Sequence, residues 1–148
     1  MTAGRFKYVT YIASTPQAVF RALLDGQLTR QYWKHTNESD WKPGSKWKHV
    51  ADDGQGTVRV VGTVVEMIPN RRLVLTWAES DDAEDPKQHS QVTIDVEPVG
   101  GMVRVTVTHE ELVPGSDMAN KVANGWPRVL SSLKSLLETG HALDTWAS

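Results

Sequence analysis

The sequence predicts an α+β domain in which one long C-terminal helix lies across the concave face of an antiparallel sheet. Three observations carry this. Val122, Trp126, Val129, Leu130, Leu133 and Leu137 recur at spacings of three and four, which places one apolar stripe along a helix. Most of the chain before them alternates with period two, as half-buried strands do, and a sheet is the partner such a stripe requires. Between the first strand and the rest, a capped, proline-initiated stretch predicts two short helices.

Gly4–Ile12 reads as the first strand, with Phe6, Tyr8, Val9, Tyr11 and Ile12 supplying aromatic and branched side chains that suit a pleated surface. Ser14 or Thr15 is placed to accept a hydrogen bond from a helix-start amide, and Pro16 has no amide hydrogen to leave unpaired, so a helix begins there. Its inner face is Val19, Phe20, Leu23 and Leu24. Asp25 and Gly26 end it, or break it into a second short helix carrying Leu28, Tyr32 and Trp33.

Residues 35–44 read as a polar, turn-rich segment in which Trp41 is held by local packing. Residues 45–50 alternate, with lysines on the solvent face and Trp47 and His49 on the other. Residues 57–68 form a long valine-rich strand in which Gly62 permits a bulge or a sharp bend. Across Gly62 its parity is ambiguous, so whether Glu66 and Arg59 face the interior stays open. Leu73, Leu75 and Trp77 form the inward row of the next strand, and the acidic residues 79–87 make a solvated hairpin loop. Residues 91–97 put Val92, Ile94 and Val96 inward and Asp95 outward. Residues 102–110 return with Val103, Val105 and Val107 on one face with His109, which by parity points inward.

In the terminal helix Ser116 is the expected cap, Asp117 suits the positive end of the dipole, and Gly140 is a left-handed stop. Pro127 conflicts with this, because within a helix it removes the bond to the carbonyl of Ala123 at a cost of ~3 kcal/mol. Burial of five or six large side chains, at roughly 1.5 to 3 kcal/mol each, outweighs that cost. The expectation is a helix that continues with a kink near residues 123–127, lifting one turn beside Trp126 away from the sheet.

Length and composition bound the function. A chain of 148 residues, 39% hydrophobic and 23% charged, fits one domain over residues 1–148 with a single core. A formal net charge of −2 argues against a general nucleic-acid binder, and the absence of cysteine removes disulfides, thiolate metal sites and a thiol nucleophile. Residues 1–11 lack the apolar run of a signal peptide and no stretch approaches the roughly 20 apolar residues of a membrane span. The expectation is a cytoplasmic protein with no membrane partner.

Strand parity converges on Trp47, His49, Trp77, His109 and Trp126, to which Trp33 and Leu130 are added as candidate ligand-binding residues. Stacking surfaces with a few polar handles make a small-molecule pocket, although inward tryptophans also serve as plain core. No catalytic residue is assigned. His109 and His49 are the candidates for acid–base work, and Glu110 lies on the opposite strand face from His109. His35, His49, His89, His109 and His141 show no metal-ligand spacing, and neither a Gly-x-Ser-x-Gly string nor a phosphate-cradling loop occurs. No metal and no cofactor is expected.

Several strings carry a family likeness. They are residues 12–16 with Val19-Phe20 and Ala22-Leu23, residues 62–69 with Arg72-Leu73 and Trp77, then residues 92–94, residues 105–110, and Gly125-Trp126 leading to Leu130, Leu133 and Leu137. In this order the chain resembles the single-domain proteins related to the activator of Hsp90 ATPase, within the START-like (SRPBCC, Bet v 1-like) superfamily. The resemblance implies a helix-grip fold, a seven-stranded antiparallel sheet around the last helix. Between them it implies a cavity that often holds an apolar or amphipathic small molecule. It does not imply one activity. Chaperone activation belongs to larger eukaryotic relatives with an additional chaperone-binding domain, which this sequence does not supply. The leading expectation is therefore non-catalytic binding of an apolar or aromatic small molecule. A cyclase, dehydratase or hydrolase in the same cavity is the alternative. The third reading is an interaction module, either a homodimer or a stress-related partner of a chaperone.

Overall fold

The computed structural model describes residues 4–144; residues 1–3 and 145–148, which the single-domain expectation includes, lie outside the described residues. Seven strands and three α-helices follow the order β1 (Gly4–Ile12), α1 (Pro16–Leu24), α2 (Gly26–Trp33), β2 (His35–Ser39), β3 (Lys46–Ala51), β4 (Val58–Ile68), β5 (Arg72–Glu79), β6 (Ser90–Val99), β7 (Met102–Leu112) and α3 (Asp117–Thr139). The strands form one antiparallel sheet in the order β1-β7-β6-β5-β4-β3-β2. Every connection from β2 to β7 joins neighbours. The long excursion from β1 through α1 and α2 carries the chain from one sheet edge to the other.

The caps act as their side chains dictate. Thr15 Oγ1 accepts from the amide of Ala18 at 3.1 Å, and Pro16 opens α1. Asp25 ends α1 and starts α2, its Oδ1 accepting from the amide of Gln27 at 2.9 Å. Ser116 Oγ accepts from the amide of Ala119 at 3.1 Å, and Gly140 closes α3 in the left-handed region at φ 86°. That conformation carries no Cβ penalty in glycine. The residues between β5 and β6 form two single 3₁₀ turns, Ser80–Asp82 and Pro86–Gln88, in a largely exposed loop.

Residues 35–44 are not only turn. His35–Ser39 is an edge strand paired with β3, and of its residues only Asn37 is buried. The strand therefore has no apolar alternation to read. It is held instead by polar contacts with α2, where Thr29 Oγ1 accepts from the amide of Asn37 at 3.0 Å and donates to the carbonyl of Gly26 at 3.1 Å. Trp41 packs partly buried against the core.

In β4 the irregularities do not fall at Gly62. They fall between His49 and Val50 on the β3 side, which leaves Arg59 as the extra residue, and between Val64 and Glu66 on the β5 side, which leaves Val65. Each bulge inverts the inward parity, and so Arg59 and Glu66 resisted assignment. Gly62 serves a different need. A Cβ there would sit 1.9 Å from the carbonyl oxygen of Thr76 and 2.4 Å from Trp47 Nε1, because the Trp47 indole crosses this position to donate to that carbonyl at 2.8 Å.

Helix α3 continues through Pro127 and buries Val122, Trp126, Val129, Leu130 and Leu133, while Leu137 is partly buried. Its neighbours are β1, β7, α1 and α2. Near its C-terminal end it is fastened to the end of β1: Lys134 Nζ donates to the Tyr11 carbonyl, and Glu138 Oε2 accepts from the Ala13 amide at 2.8 Å. The N-terminal half thus projects over the β3–β5 side of the sheet. No helix among the described residues is long and apolar enough to cross a membrane.

Candidate functional site

Beneath that N-terminal half lies a cavity of about 610 Å³. Three tryptophans from three elements form its aromatic wall: Trp33 from α2, Trp77 from β5 and Trp126 from α3. Trp33 and Trp126 have ring centroids 5.3 Å apart, Trp77 and Trp126 5.6 Å, and Trp33 lies nearly parallel to Trp77 at 6.3 Å and 22°. Val60, Val122 and Val129 add an aliphatic lining. The α3 residues that face the space flank Pro127, and Gly125 has open space where a Cβ would stand.

A directional chain of hydrogen bonds fixes the wall from behind. An indole N–H only donates, so the 3.1 Å contact from Trp126 Nε1 makes His109 Nδ1 the acceptor. The neutral ring must then carry its proton on Nε2, which donates to Ser90 Oγ at 2.7 Å, and Ser90 donates to the carbonyl of Trp77 at 3.1 Å. The chain joins α3 to β7, β6 and β5 through the core. Burial holds His109 neutral by pushing its pKa down to about 4. Both ring nitrogens are engaged, so neither is free to exchange a proton with a ligand.

His35 and His49 form a second imidazole group on the cavity lining. Their rings stack at 4.1 Å and 6°. The His35 Nδ1–H donates to the Trp33 carbonyl at 2.9 Å, and His49 Nδ1 bonds Asn37 Oδ1, an acceptor. Both Nε2 atoms therefore carry lone pairs, with no protein partner among the described residues. Burial lowers both pKa values, and for His49 the neighbouring His35 adds to the effect.

The mouth is charged. Arg59, Lys121 and Arg128 line it with Glu79 and Asp81, and Lys121 bonds Glu79 across the opening at 2.7 Å. Trp77 Nε1, shielded from solvent and cavity alike, is the one buried side-chain nitrogen or oxygen without a hydrogen-bond partner among the described residues. A buried donor in that state costs about 1–3 kcal/mol. No group of three His, Asp or Glu side chains among the described residues is placed to hold a metal.

Of the residues singled out from the sequence, Trp33, His49, Trp77 and Trp126 line the cavity. Trp47, His109 and Leu130 stand behind it. Trp47 supports Trp77 at 5.2 Å with its N–H spent on Thr76, His109 holds Trp126, and Leu130 is fully buried core. Arg59 proves to be a lining residue, whereas Glu66 is not one. Asp95 lies beside Arg72, which donates to it at 2.7 Å. His35, Lys121, Gly125 and Arg128 were missed. His35 was legible in principle: with residues 35–39 paired to β3, its parity with Asn37 puts it on the face of His49.

An antiparallel sheet gripping a long terminal helix, with an aromatic-walled cavity between them, defines a helix-grip protein of the START-like class. Comparison with known proteins narrows the class. The family model described as "Activator of Hsp90 ATPase homolog 1-like protein" matches residues 13–138, and the chain belongs to that family. Among solved structures, MLL2253 from Mesorhizobium loti is 24% identical with a TM-score of 0.76, covering 91% of this chain and 97% of that one. The solution structure of the Aha1 dimer from Colwellia psychrerythraea is 22% identical with a TM-score of 0.74, covering 93% and 98%. CalU16 from Micromonospora echinospora is 19% identical with a TM-score of 0.73, covering 93% and 78%. At these identities the likeness establishes the fold. No curated protein sequence matches the chain.

Proposed function

We propose that this protein binds an apolar or aromatic small molecule, without transforming it, in the cavity between its sheet and α3. The observation that carries the reading is the wall of Trp33, Trp77 and Trp126 around a space of about 610 Å³. The volume suits a drug-sized ligand, and such sites are commonly apolar with a few polar groups. The family and the helix-grip fold support it, since members of this fold commonly hold ligands in this space. The test is a titration with a panel of lipids and aromatic metabolites, followed by tryptophan fluorescence and melting temperature. A ligand present at 100 times its Kd stabilises the fold by about 2.7 kcal/mol. Gly125→Phe, which grows a ring into open space, should remove the response while the fold persists. A response that survives this substitution places the ligand elsewhere.

A second reading, an enzyme of cyclase, dehydratase or hydrolase type, draws support from the free Nε2 atoms of His35 and His49 on the lining. His109 gives it none, because both its nitrogens are engaged. If turnover is found, His49→Gln with His35→Gln should abolish it; turnover unchanged in that variant eliminates the assignment. The description of the Colwellia psychrerythraea neighbour as a dimer supports a homodimer, as do exposed Val9 and Tyr11 on edge strand β1. Light scattering across a concentration series decides between one mass and its double.

A further inference from the structure

We infer that the ligand carries an anionic group, read at the cavity mouth by Arg59 and Arg128. This rests on the binding function proposed above and specifies its substrate class: a molecule with a flat apolar or aromatic body and one acidic head.

Several charges around the opening already have partners. Near the mouth, Glu79 is paired with Lys121 at 2.7 Å and Asp52 with Arg30 at 3.2 Å. Asp53 accepts from the amide of Gln55 at 2.8 Å and from the hydroxyl of Thr57. Arg59 and Arg128 make neither an ion pair nor a side-chain hydrogen bond among the described residues, although both are exposed and both line the cavity. They come from opposite walls, Arg59 as the extra residue of the β4 bulge and Arg128 from α3 directly after Pro127. Bulges re-aim side chains, and here the one in β4 puts a cation where regular pairing would have turned it away.

The balance of sign agrees. Three cations and two carboxylates line this opening in a chain whose formal net charge is −2. Of the two carboxylates that line the cavity, Asp81 alone has no ion pair among the described residues, and nearby Asp53 is hydrogen-bonded to Gln55 and Thr57. Guanidinium groups only donate, so the complementary ligand brings acceptors, with the charged one at its outer end.

Two probes that share one aromatic frame test this. 1-Anilinonaphthalene-8-sulfonate is an anion; N-phenyl-1-naphthylamine lacks the sulfonate. Both are titrated into the whole protein and into Arg59→Gln/Arg128→Gln, with Gly125→Phe as the blocked control. The expected result is that the double substitution lowers the ratio of sulfonate affinity to amine affinity by about tenfold, the size of two exposed ion pairs. In the unsubstituted protein, raising the salt from about 0.05 to about 0.5 M, which shortens the Debye length roughly threefold, weakens the sulfonate and spares the amine. This second readout decides the matter if the double variant fails to fold. Amine binding blocked by Gly125→Phe, with a ratio unchanged within about twofold and no salt effect on the sulfonate, overturns the anionic head and leaves the cavity function standing. Binding of neither probe overturns both.

Discussion

Trp126 donates its indole N–H to Nδ1 of His109 at 3.1 Å, and this single contact fixes the tautomer of a fully buried imidazole and ties α3 to the sheet. A residue that the sequence offered as an acid–base candidate is thereby a structural one. Its ring holds Trp126 in the cavity wall and relays the tie through Ser90 to the backbone of Trp77.

Acid should loosen the fold through this ring. His109 has its pKa pushed down from 6.5 to about 4 by burial, so below pH 6.5 the unfolded chain takes up a proton that the folded chain refuses. Its contribution is fully present above pH 6.5 and is lost as the pH falls toward 4, at about 1.4 kcal/mol per unit and roughly 3 kcal/mol in all. His35 and His49 are shifted the same way and add to the slope. Urea unfolding at several pH values from neutral to mildly acidic checks this. His109→Gln should start less stable and show a shallower decline; an unchanged slope assigns the acid sensitivity to other groups.

Trp126→Phe keeps most of the aromatic volume and deletes the donor. It should cost about 1–3 kcal/mol at neutral pH, because Nδ1 is left buried with an unanswered lone pair. The penalty should shrink in acid, where a proton on Nδ1 is no longer opposed by a facing N–H. Equal penalties at neutral and acid pH would place the cost in packing alone.

Two glycines should respond in opposite ways to the same change. Gly62→Ala puts a Cβ within 1.9 Å of a backbone oxygen and 2.4 Å of the Trp47 ring, and should destabilise by more than about 3 kcal/mol or prevent folding. Gly125→Ala meets nothing within 4 Å in the interior of α3 and should stabilise by about 0.5–1 kcal/mol. Thermal melts of the two proteins measure both.

The architecture was legible because its carriers are periodic. The stripe from Val122 to Leu137 and the rows at Leu73, Leu75 and Trp77 or Val103, Val105 and Val107 each repeat with the period of their element. β2 escaped because its one buried side chain, Asn37, is polar: its Oδ1 accepts from His49, while its backbone amide donates to Thr29 Oγ1. Parity located Trp77 and His49 correctly on the inward face but could not separate lining from backing. Trp47 and Trp77 share that face, and only the Trp47 bond to the Thr76 carbonyl over Gly62 sets it behind. Arg59 was hidden by a bulge, and a bulge is a property of two paired strands that one strand's pattern does not contain.

The indole N–H signals of a ¹⁵N-labelled sample titrated with N-phenyl-1-naphthylamine test a ligand site between the sheet and α3 most directly. Trp33, Trp77 and Trp126 line the cavity, while Trp41 and Trp47 do not. Saturable shifts at the first three and steady positions for the other two, all abolished by Gly125→Phe, are the predicted result. Signals of Trp33, Trp77 and Trp126 that stay in place throughout, or shifts that persist in Gly125→Phe, would contradict a ligand site between the sheet and α3.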